Sequence, residues 1–516
     1  MGSKDGSFQV VPGGIGSTED VANSSHGVEV QSHTRELVFN LSLGLIEGMS
    51  SRHQVLRFVC LASNNDNNPA NQSIPLVILG FCFKKLRAMC RLLASEQSLL
   101  RASSTMSYNF ADLDLFSKGA PWDAFAEVRA SGKPHFSEEA APNHGFWSIM
   151  RYNDIVKVLR DSETFTSERF TNLEEVDAEQ EEARRSLLET DGLRHRALRR
   201  MLQGEFTPQA VSKYESFLRG LTATTLDNAF AKGEFDFVED VSADFPIRVL
   251  ARILDVPDED TGQLIDWGNR MIGNTDPEHA DVLMEDPESE KYRLVPFRSP
   301  AALEVFEYGQ ALAAERRGKG RKDLVSVLAD GVPSDGIPMS ERDFNTNFLL
   351  LVVAGNETTR HTISHTMNNL IRNPEQLALL QENPELIPWA VEEFLRFASP
   401  VYHFRRTTTK DVEINGVKIK EGHKVLPWFA SGNRDSEIFS DPNKMDVTRN
   451  PNEHMTFGRG GPHMCLGNAL ARIEMRIMFE DLISRIDRVE LTGEIDYLRS
   501  NFVHGIKRMP VKVHLR

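Results

Sequence analysis

Cysteine is scarce in this chain, with four residues among 516. So few thiols cannot form the dense disulfide framework of a small secreted domain, and they favour a reducing compartment such as the cytoplasm. Long apolar runs are scarce as well. The longest early one, residues 74–83, is about half of the roughly twenty residues needed to cross a bilayer, so no membrane span is predicted.

Positive charge is also in short supply. Lys and Arg total 59 against 75 Asp and Glu, which gives a formal net charge of −16. This acidic balance argues against nucleic acid as a general partner. The hydrophobic content of 40% is that of an ordinary globular protein, and the length allows one large domain or several smaller ones.

Cys465 is the one cysteine after residue 90, and it lies in a glycine-rich loop just before a helical pattern at 468–486. A helix N-terminus favours an ionised sulfur. A single thiolate cannot build a zinc site or an iron–sulfur cluster, which need several ligands. One thiolate on a porphyrin iron fits the count. For the thiol alone, a buried cysteine packed beside a glycine loop is the competing interpretation.

The loop is Phe457-Gly-Arg-Gly-Gly-Pro-His463-Met-Cys465-Leu-Gly467. It resembles the haem-binding loop of the cytochrome P450 family, the haem-thiolate monooxygenases, and in particular the branch that oxidises steroid side chains and methyl-branched lipids. The resemblance implies haem b as cofactor, Cys465 as axial iron ligand, His463 near a haem propionate, and Phe457 and Gly467 beside the cofactor. It also implies a mainly α fold with small β-sheets, in which a helical domain around a long central helix joins a small β-rich lobe.

A long helix predicted at 343–372 contains Ala354-Gly-Asn-Glu357-Thr358-Thr. Glycine inside a helix costs about 1 kcal/mol against alanine, and threonine hydroxyls bond a carbonyl one turn back and bend the helix. A tolerated kink with a salt-bridged glutamate would explain this pattern without any chemistry. The resemblance implies instead an oxygen-binding groove, in which Gly355 leaves room, Thr358 holds a water and Glu357 relays protons from solvent.

The same resemblance implies cations for the two haem propionates. His195 and Arg199 lie one helical turn apart and can both reach carboxylates. Arg406 matches the second propionate arginine, with its neighbour Arg405 as the rival register.

Glu393 and Arg396 match the family's Glu-x-x-Arg pair and would face each other on one helix. The resemblance implies a buried structural network with a third arginine, either Arg434 or Arg449.

Two further histidines one turn apart, His361 and His365, superficially suggest zinc. The glutamate of His-Glu-x-x-His is missing and the sequence offers no evident third ligand, so no metal is expected there.

The substrate pocket is predicted to be apolar, which favours a lipophilic substrate. Its expected lining is Val353, Ala354, Val401, Phe404, Phe502 and Val503. A steroid side chain or a branched isoprenoid lipid is the first expectation. A terpenoid or fatty-acid hydroxylase and, for a different class of protein, a non-catalytic haem carrier or sensor are the alternatives. The acidic stretch at 283–300, where the lid should be, is longer than in the steroid-oxidising relatives.

The sequence shows no flavin, nicotinamide or iron–sulfur motif, so electrons for the reduction of O2 must come from another protein. The resemblance implies a ferredoxin with its reductase, docked on the cysteine side of the haem. The basic residues expected there are Arg199, Arg200, Arg459, Arg472 and Arg476.

Residues 1–105 are rich in Ser, Asn and Gly and show little periodicity. They are predicted to be an N-terminal extension, disordered or upstream of a native start at Met106. The catalytic domain is predicted at 106–516.

Overall fold

The computed structural model describes residues 9–10, 29–33, 36–41, 56–60, 108–141 and 143–516. The chain divides into two units, Met1–Thr105 and Met106–Arg516. In the first unit the described strands form an antiparallel sheet of order β1-β4-β3-β2, with β1 (Gln9–Val10), β2 (Glu29–His33), β3 (Glu36–Leu41) and β4 (Leu56–Cys60). The prediction of an N-terminal extension falls mostly outside the described residues and stays a prediction.

Helices dominate the second unit. In chain order they are α1 (Trp122–Ala130), α2 (Tyr152–Arg160), α3 (Ala178–Arg184), α4 (Gly192–Leu202), α5 (Pro208–Ser212), α6 (Glu215–Phe230), α7 (Asp244–Leu254), α8 (Thr261–Ile272), α9 (Pro300–Arg316), α10 (Leu324–Asp330), α11 (Glu341–Arg372), α12 (Pro374–Glu382), α13 (Ile387–Ala398), α14 (Phe429–Gly432) and α15 (Asn468–Arg485). A π-helical turn, Val238–Ala243, leads into α7.

The strands of this unit are short and form small sheets of order β5-β6-β12-β9-β7, β13-β16-β8, β10-β11 and β14-β15. They are β5 (His135–Ser137), β6 (Phe146–Ile149), β7 (Phe165–Thr166), β8 (Glu234–Asp236), β9 (Arg406–Thr408), β10 (Val412–Ile414), β11 (Val417–Ile419), β12 (Lys424–Pro427), β13 (Ile486–Leu491), β14 (Asp496–Tyr497), β15 (Ile506–Arg508) and β16 (Pro510–Leu515). The prediction of a mainly α fold with small sheets is confirmed.

Helix α11 is the long central helix, 32 residues from Glu341 to Arg372. Ser340 starts it with a reciprocal cap: its hydroxyl accepts from the Asp343 N–H at 3.0 Å, while the Asp343 carboxylate accepts from the Ser340 N–H at 3.2 Å. Such a box satisfies backbone donors that a helix end leaves unpaired. The prediction of a helix at 343–372 is therefore correct, and the cap moves its start two residues earlier.

Two other local patterns of the sequence match the structure: the alternation around Asn415-Gly416 at 411–419 predicts a β-hairpin, and the acidic, proline-broken stretch at 273–300 predicts a loop or lid. Asn415 and Gly416 take positive φ of 48° and 80° in the turn between β10 and β11, as a tight hairpin requires. The segment 273–300, predicted as a loop, holds only short 3₁₀ turns at Pro287–Tyr292 and Pro296–Arg298. No described helix has the length together with the apolar composition that crossing a membrane demands.

Candidate active site around Cys465

Cys465 is held in a loop that ends where α15 begins. Its backbone N–H donates to the Phe457 carbonyl at 2.8 Å, and Asn468, the first residue of α15, donates from Nδ2 to the Cys465 carbonyl at 2.7 Å. These two bonds tie the loop to the helix and fix the cysteine backbone. The residue itself is only half-buried.

The positive charge near the Cys465 thiol is too small to offset the effect of burial on its pKa. Burial raises the pKa of Cys465, and the Gly467 N–H together with the guanidinium groups of Arg199 and Arg472 lower it without outweighing burial. A bound metal cation would supply the missing positive charge, since the thiolate is the form that ligates metal. The surroundings of the thiol fit a metal ligand.

Two glycines of the loop allow it to pack closely against α2. Gly460 adopts a positive φ of 74°. A Cβ on Gly461 would collide with the Leu159 carbonyl at the end of α2, and one on Gly460 would collide with the Arg160 side chain. In this structure these glycines therefore permit close contact with α2, whereas a Cβ on Gly467 would meet open space.

Two predicted propionate ligands meet beside the loop. The rings of His195 and His463 lie 4.1 Å apart. His463 Nε2 lies 2.7 Å from a carboxylate oxygen of Asp191, a residue that the motif search did not single out. His195 Nε2 is buried without a hydrogen-bond partner in the described residues, and burial lowers the pKa of this histidine to about 4. Of the two, His195 is the imidazole left free for a cofactor carboxylate, while His463 has Asp191.

The structure separates the two rival arginines. Arg405 already has a partner, since it donates from Nη1 to the Glu174 carbonyl at 2.5 Å. Arg406, at the start of β9, donates to the Arg405 carbonyl at 2.9 Å and has no carboxylate partner in the described part of the chain. Burial lowers the pKa of Arg406 to about 10. An unpaired buried guanidinium costs free energy, and a propionate would relieve that cost.

Arg199 has a different partner from the one expected. Its Nη2 donates to the Met464 carbonyl at 2.6 Å, so this arginine braces the residue next to Cys465.

One face of α11 keeps solvent-accessible surface although the helix runs through the core. Leu351, Gly355 and Thr358 are half-buried and Ala354 is exposed, while neighbouring Val353 and Glu357 are buried. The accessible positions follow i, i+3, i+4, i+7 spacing, so they share one face. Accessible surface inside a core indicates an internal space of the kind that holds cofactors and ligands.

The acid and the alcohol of the predicted relay have separate partners. Thr358 Oγ1 donates to the Ala354 carbonyl at 2.9 Å, as expected for a helical threonine. The Glu357 carboxylate is buried near Arg360 at 3.5 Å and His361 at 3.3 Å. Burial alone would raise the pKa of Glu357, but Arg360 and His361 lower it overall. Glu357 is therefore an ionised group in a buried network.

Gly355 itself adjoins α7. A Cβ at this position would lie 3.0 Å from Leu250 Cδ1, so the space that the missing side chain leaves is bounded by that leucine.

The predicted pocket walls lie side by side. Val401 pairs with Val503 in an isolated antiparallel bridge, and the rings of Phe404 and Phe502 meet edge to face at 5.5 Å. Val353 belongs to the same hydrophobic cluster as Val503. The two segments therefore form one apolar surface.

The structural pair is bidentate and fully buried. Arg396 donates from Nε and Nη2 to the two carboxylate oxygens of Glu393, both at 2.7 Å. Arg449 adds a third bond to Glu393 at 3.2 Å. Arg434 instead stacks on Phe397, with its guanidinium carbon 3.5 Å from the ring centre. The third arginine of the network is thus Arg449.

Three of the predicted docking arginines have carboxylate partners of their own. Arg472 pairs with Glu392, Arg476 pairs with Glu215, and Arg459 pairs with Glu453. Their positive charge is therefore partly neutralised. Arg196 and Arg200, one turn apart on α4, are exposed and have no ion-pair partner among the described residues. Arg200 is among the docking residues predicted from the sequence, whereas Arg196 is not.

Glu474 is a second buried acid that the sequence analysis missed. It lies inside α15, its side chain hydrogen-bonds Thr359, and burial raises its pKa to about 8. Its place in an amphipathic helical pattern gave no sign of this environment. The residue adds a protonated carboxyl group to the neighbourhood of α11.

Comparison with known proteins places the site in context. The Cytochrome P450 family model matches residues 302–491. A steroid C26-monooxygenase of Mycolicibacterium smegmatis is 33% identical over 419 residues, 78% of this chain and 93% of the relative. A linalool 8-monooxygenase of Pseudomonas putida is 34% identical, over 77% of this chain and 97% of the relative. A methyl-branched lipid omega-hydroxylase of Mycobacterium bovis is 36% identical, over 71% and 84%.

The fold comparison agrees with the sequence comparison. A cytochrome P450 of Mycobacterium marinum, solved in complex with pseudoionone, matches with a TM-score of 0.72 and 33% identity, covering 79% of this chain and 98% of that one. The resemblance inferred from the cysteine loop is confirmed, and with it the fold. A family of haem-thiolate enzymes accounts for the half-buried cysteine, for the imidazole of His195, which has no hydrogen-bond partner at Nε2 in the described part of the chain, and for the buried guanidinium of Arg406. The chain belongs to the cytochrome P450 family and is a monooxygenase.

Proposed function

We propose that this monooxygenase carries haem b with Cys465 as the axial ligand and hydroxylates a steroid side chain or a branched isoprenoid lipid. The observation that carries the assignment of the ligand is the position of Cys465: its backbone is fixed just before α15, and the guanidinium groups of Arg199 and Arg472 lie near its sulfur. His195 and Arg406, both buried and without carboxylate partners in the described residues, would take the propionates.

When bound, the haem supplies the activation of dioxygen that allows one oxygen atom to enter a C–H bond. The protein residues manage water and protons. Because the Thr358 hydroxyl donates its hydrogen to the Ala354 carbonyl, its oxygen lone pairs are available to accept a hydrogen bond and hold a water. Glu357 Oε1 and Oε2, ionised in a buried network, can take up a proton and pass it on. A carrier or sensor would not need this pair, which favours an enzyme.

The apolar surface of Val401, Phe404, Phe502 and Val503 supports a lipophilic substrate, since it offers aliphatic and aromatic contacts. The names of the relatives include a steroid, a methyl-branched lipid and linalool. They favour a lipophilic class of substrate but do not agree on one compound. We place a steroid with a branched side chain first. A terpenoid alcohol or a fatty acid is the alternative substrate for the same chemistry.

A binding and turnover experiment tests this order. The purified holoenzyme is titrated with a side-chain steroid, a terpene alcohol and a fatty acid while the haem absorption is followed. It is then supplied with O2, ferredoxin, its reductase and the reduced nicotinamide that feeds the reductase with electrons. We expect the steroid to displace the iron-bound water at the lowest concentration and to give a product heavier by one oxygen atom on the side chain. Tighter binding and turnover of the terpene would favour the alternative, and no response to any of the three would contradict a lipophilic substrate.

The electron donor is proposed to be an acidic ferredoxin that docks on the face of α4, with the protein in the cytoplasm. Arg196 and Arg200 support this site because both are exposed and free of ion pairs in the described region. Complementary surface charge mainly raises the association rate and is screened by salt.

Reversing both charges, Arg196→Glu with Arg200→Glu, is expected to raise the ferredoxin concentration for half-maximal turnover about tenfold at low ionic strength. The difference should shrink at high salt. Lys418→Glu, an exposed lysine on the β10–β11 hairpin, is the matched control and should leave this value unchanged. Equal effects of the double variant and the control, or an effect that salt does not reduce, would count against docking at α4.

A further inference from the structure

The Glu357 carboxylate has an unequal set of neighbours. Oε1 accepts a hydrogen bond from Asn356 Nδ2 at 3.2 Å and lies 3.5 Å from Arg360 Nη1. Oε2 lies 3.3 Å from His361 Nε2, one helical turn along α11. His361 Nε2 has no aligned hydrogen bond with any described residue, Oε2 included, so its 3.3 Å contact with this oxygen is electrostatic. The imidazole is therefore the neighbour expected to influence the orientation and the protonation of Oε2.

The backbone of the C-terminal segment determines the tautomer of His361. The Ile506 N–H donates to His361 Nδ1 at 3.3 Å. A backbone N–H can only donate, so Nδ1 must carry a lone pair, and the proton of the neutral ring is on Nε2. Protonating Nδ1 would place two N–H groups against each other. The ring consequently presents an N–H to Glu357 without carrying a charge.

Packing holds the ring and the carboxylate from both sides. A Cβ on Gly505 would lie 3.1 Å from His361 Cε1 and Nε2, so the imidazole rests directly on that backbone. On the other side, a Cβ on Gly268 of α8 would lie 2.8 Å from Glu357 Oε1. Each group therefore lies against the backbone of a neighbouring element.

The other groups that face His361 are basic. Arg360 and His365 lie on α11, His279 comes from the 273–300 segment, and His504 comes from the C-terminal segment. Burial lowers the pKa of His361, and the Glu357 carboxylate offsets only part of that effect. These surroundings favour a neutral His361 beside an ionised Glu357.

We propose that His361 is a positioning residue for the proton relay: its neutral ring, protonated on Nε2, orients the Glu357 carboxylate and supports its ionised form. This inference rests on the proposed role of Glu357. The Nε2–H stabilises Glu357 Oε2 while the carboxylate is charged, and the same contact returns the side chain to one orientation after each proton has passed. His361 itself does not change its charge.

Three variants of the holoenzyme test this role. His361→Leu removes the donor, His361→Gln keeps a neutral N–H donor on a side chain that cannot titrate, and His365→Gln is the matched control because His365 is also buried on α11 and bonds to the His504 carbonyl. Glu357→Gln tests the relay itself. For each, the fraction of electrons recovered in product is measured across pH, together with thermal unfolding.

We expect His361→Leu to lower this fraction about tenfold and to shift its pH dependence to higher pH, because without the N–H donor the pKa of Glu357 rises. His361→Gln should restore most of the loss, and His365→Gln should match the wild type in both readouts. The inference is overturned if Glu357→Gln loses coupling while His361→Leu keeps the wild-type value and pH profile. If Glu357→Gln has no effect, it is the proposed relay that fails.

A readout independent of turnover examines the ring directly. In the holoenzyme labelled with ¹⁵N-histidine, the signal that disappears in His361→Gln identifies His361, and its nitrogen shifts report the tautomer. We expect the neutral form with the proton on Nε2 throughout the pH range in which free histidine titrates. A cationic ring, or a proton on Nδ1, would overturn the proposal even if the turnover of His361→Leu were impaired.

Discussion

Replacing Arg396 with leucine is expected to lower the free energy of unfolding of the second unit by about 3–5 kcal/mol, since removing one partner of a buried ion pair leaves the other charge uncompensated. Glu393 and Arg396 are both inaccessible to solvent, and their two 2.7 Å bonds are bidentate. Arg396 also donates from Nη1 to the carbonyls of Asn433 and Pro442, at 2.7 and 2.8 Å. Without it, those acceptors lose a donor as well. Chemical denaturation followed by far-UV circular dichroism measures the loss.

A matched pair on the surface provides the control. Lys291 and Glu288 have the same i, i+3 spacing at 2.9 Å, but both side chains are 66% exposed. Lys291→Leu should leave the free energy of unfolding nearly unchanged, because exposed ion pairs gain little over their interaction with water. Because the two pairs have the same spacing along a helix, the difference between the two losses of unfolding free energy reports the effect of burial. Equal losses in the two variants would show that the Glu393 network does not stabilise the fold as described.

Features that depend on neighbours in the chain were predictable. The Asn415-Gly416 hairpin follows from two residues that tolerate positive φ, and the predicted start of α11 at 343 lies two residues after the start that the Ser340 cap sets. Cys465 could be identified because its motif is contiguous. In each case the information lies within about a dozen residues of the chain.

Features that depend on distant contacts were not predictable. Arg449 bonds to Glu393 because the fold brings its guanidinium to that carboxylate, whereas Arg434 stacks on Phe397. The spacing of these residues along the sequence does not show which of the two arginines reaches Glu393. Asp191 looked like an ordinary residue before a helix, yet its partner is His463, more than 270 positions later.

The charge of the predicted docking surface was overestimated from the sequence for a similar reason. The arginines chosen for docking were basic in sequence, but ion pairs with Glu392, Glu215 and Glu453 neutralise three of them in the fold.

Replacing Cys465 with serine is expected to have the largest chemical effect. A hydroxyl has nearly the shape of a thiol, but it does not ionise near neutral pH and is a poor ligand for iron. The thiolate, by contrast, donates electron density to the iron. The half-buried position and the 2.8 Å backbone bond to Phe457 should survive the change, so the fold should be retained. We expect monooxygenase turnover to fall to background. Cys90→Ser, the same substitution in residues 1–105, should leave turnover unaffected.

The most direct measurement of the central claim is the absorption spectrum of the reduced protein with carbon monoxide. The wild type and Cys90→Ser are predicted to show the long-wavelength Soret band of a thiolate-ligated haem, and Cys465→Ser is predicted to lose it while keeping its thermal unfolding midpoint. A reduced carbon monoxide spectrum that is the same in Cys465→Ser and the wild type would contradict the assignment of this sulfur to the iron.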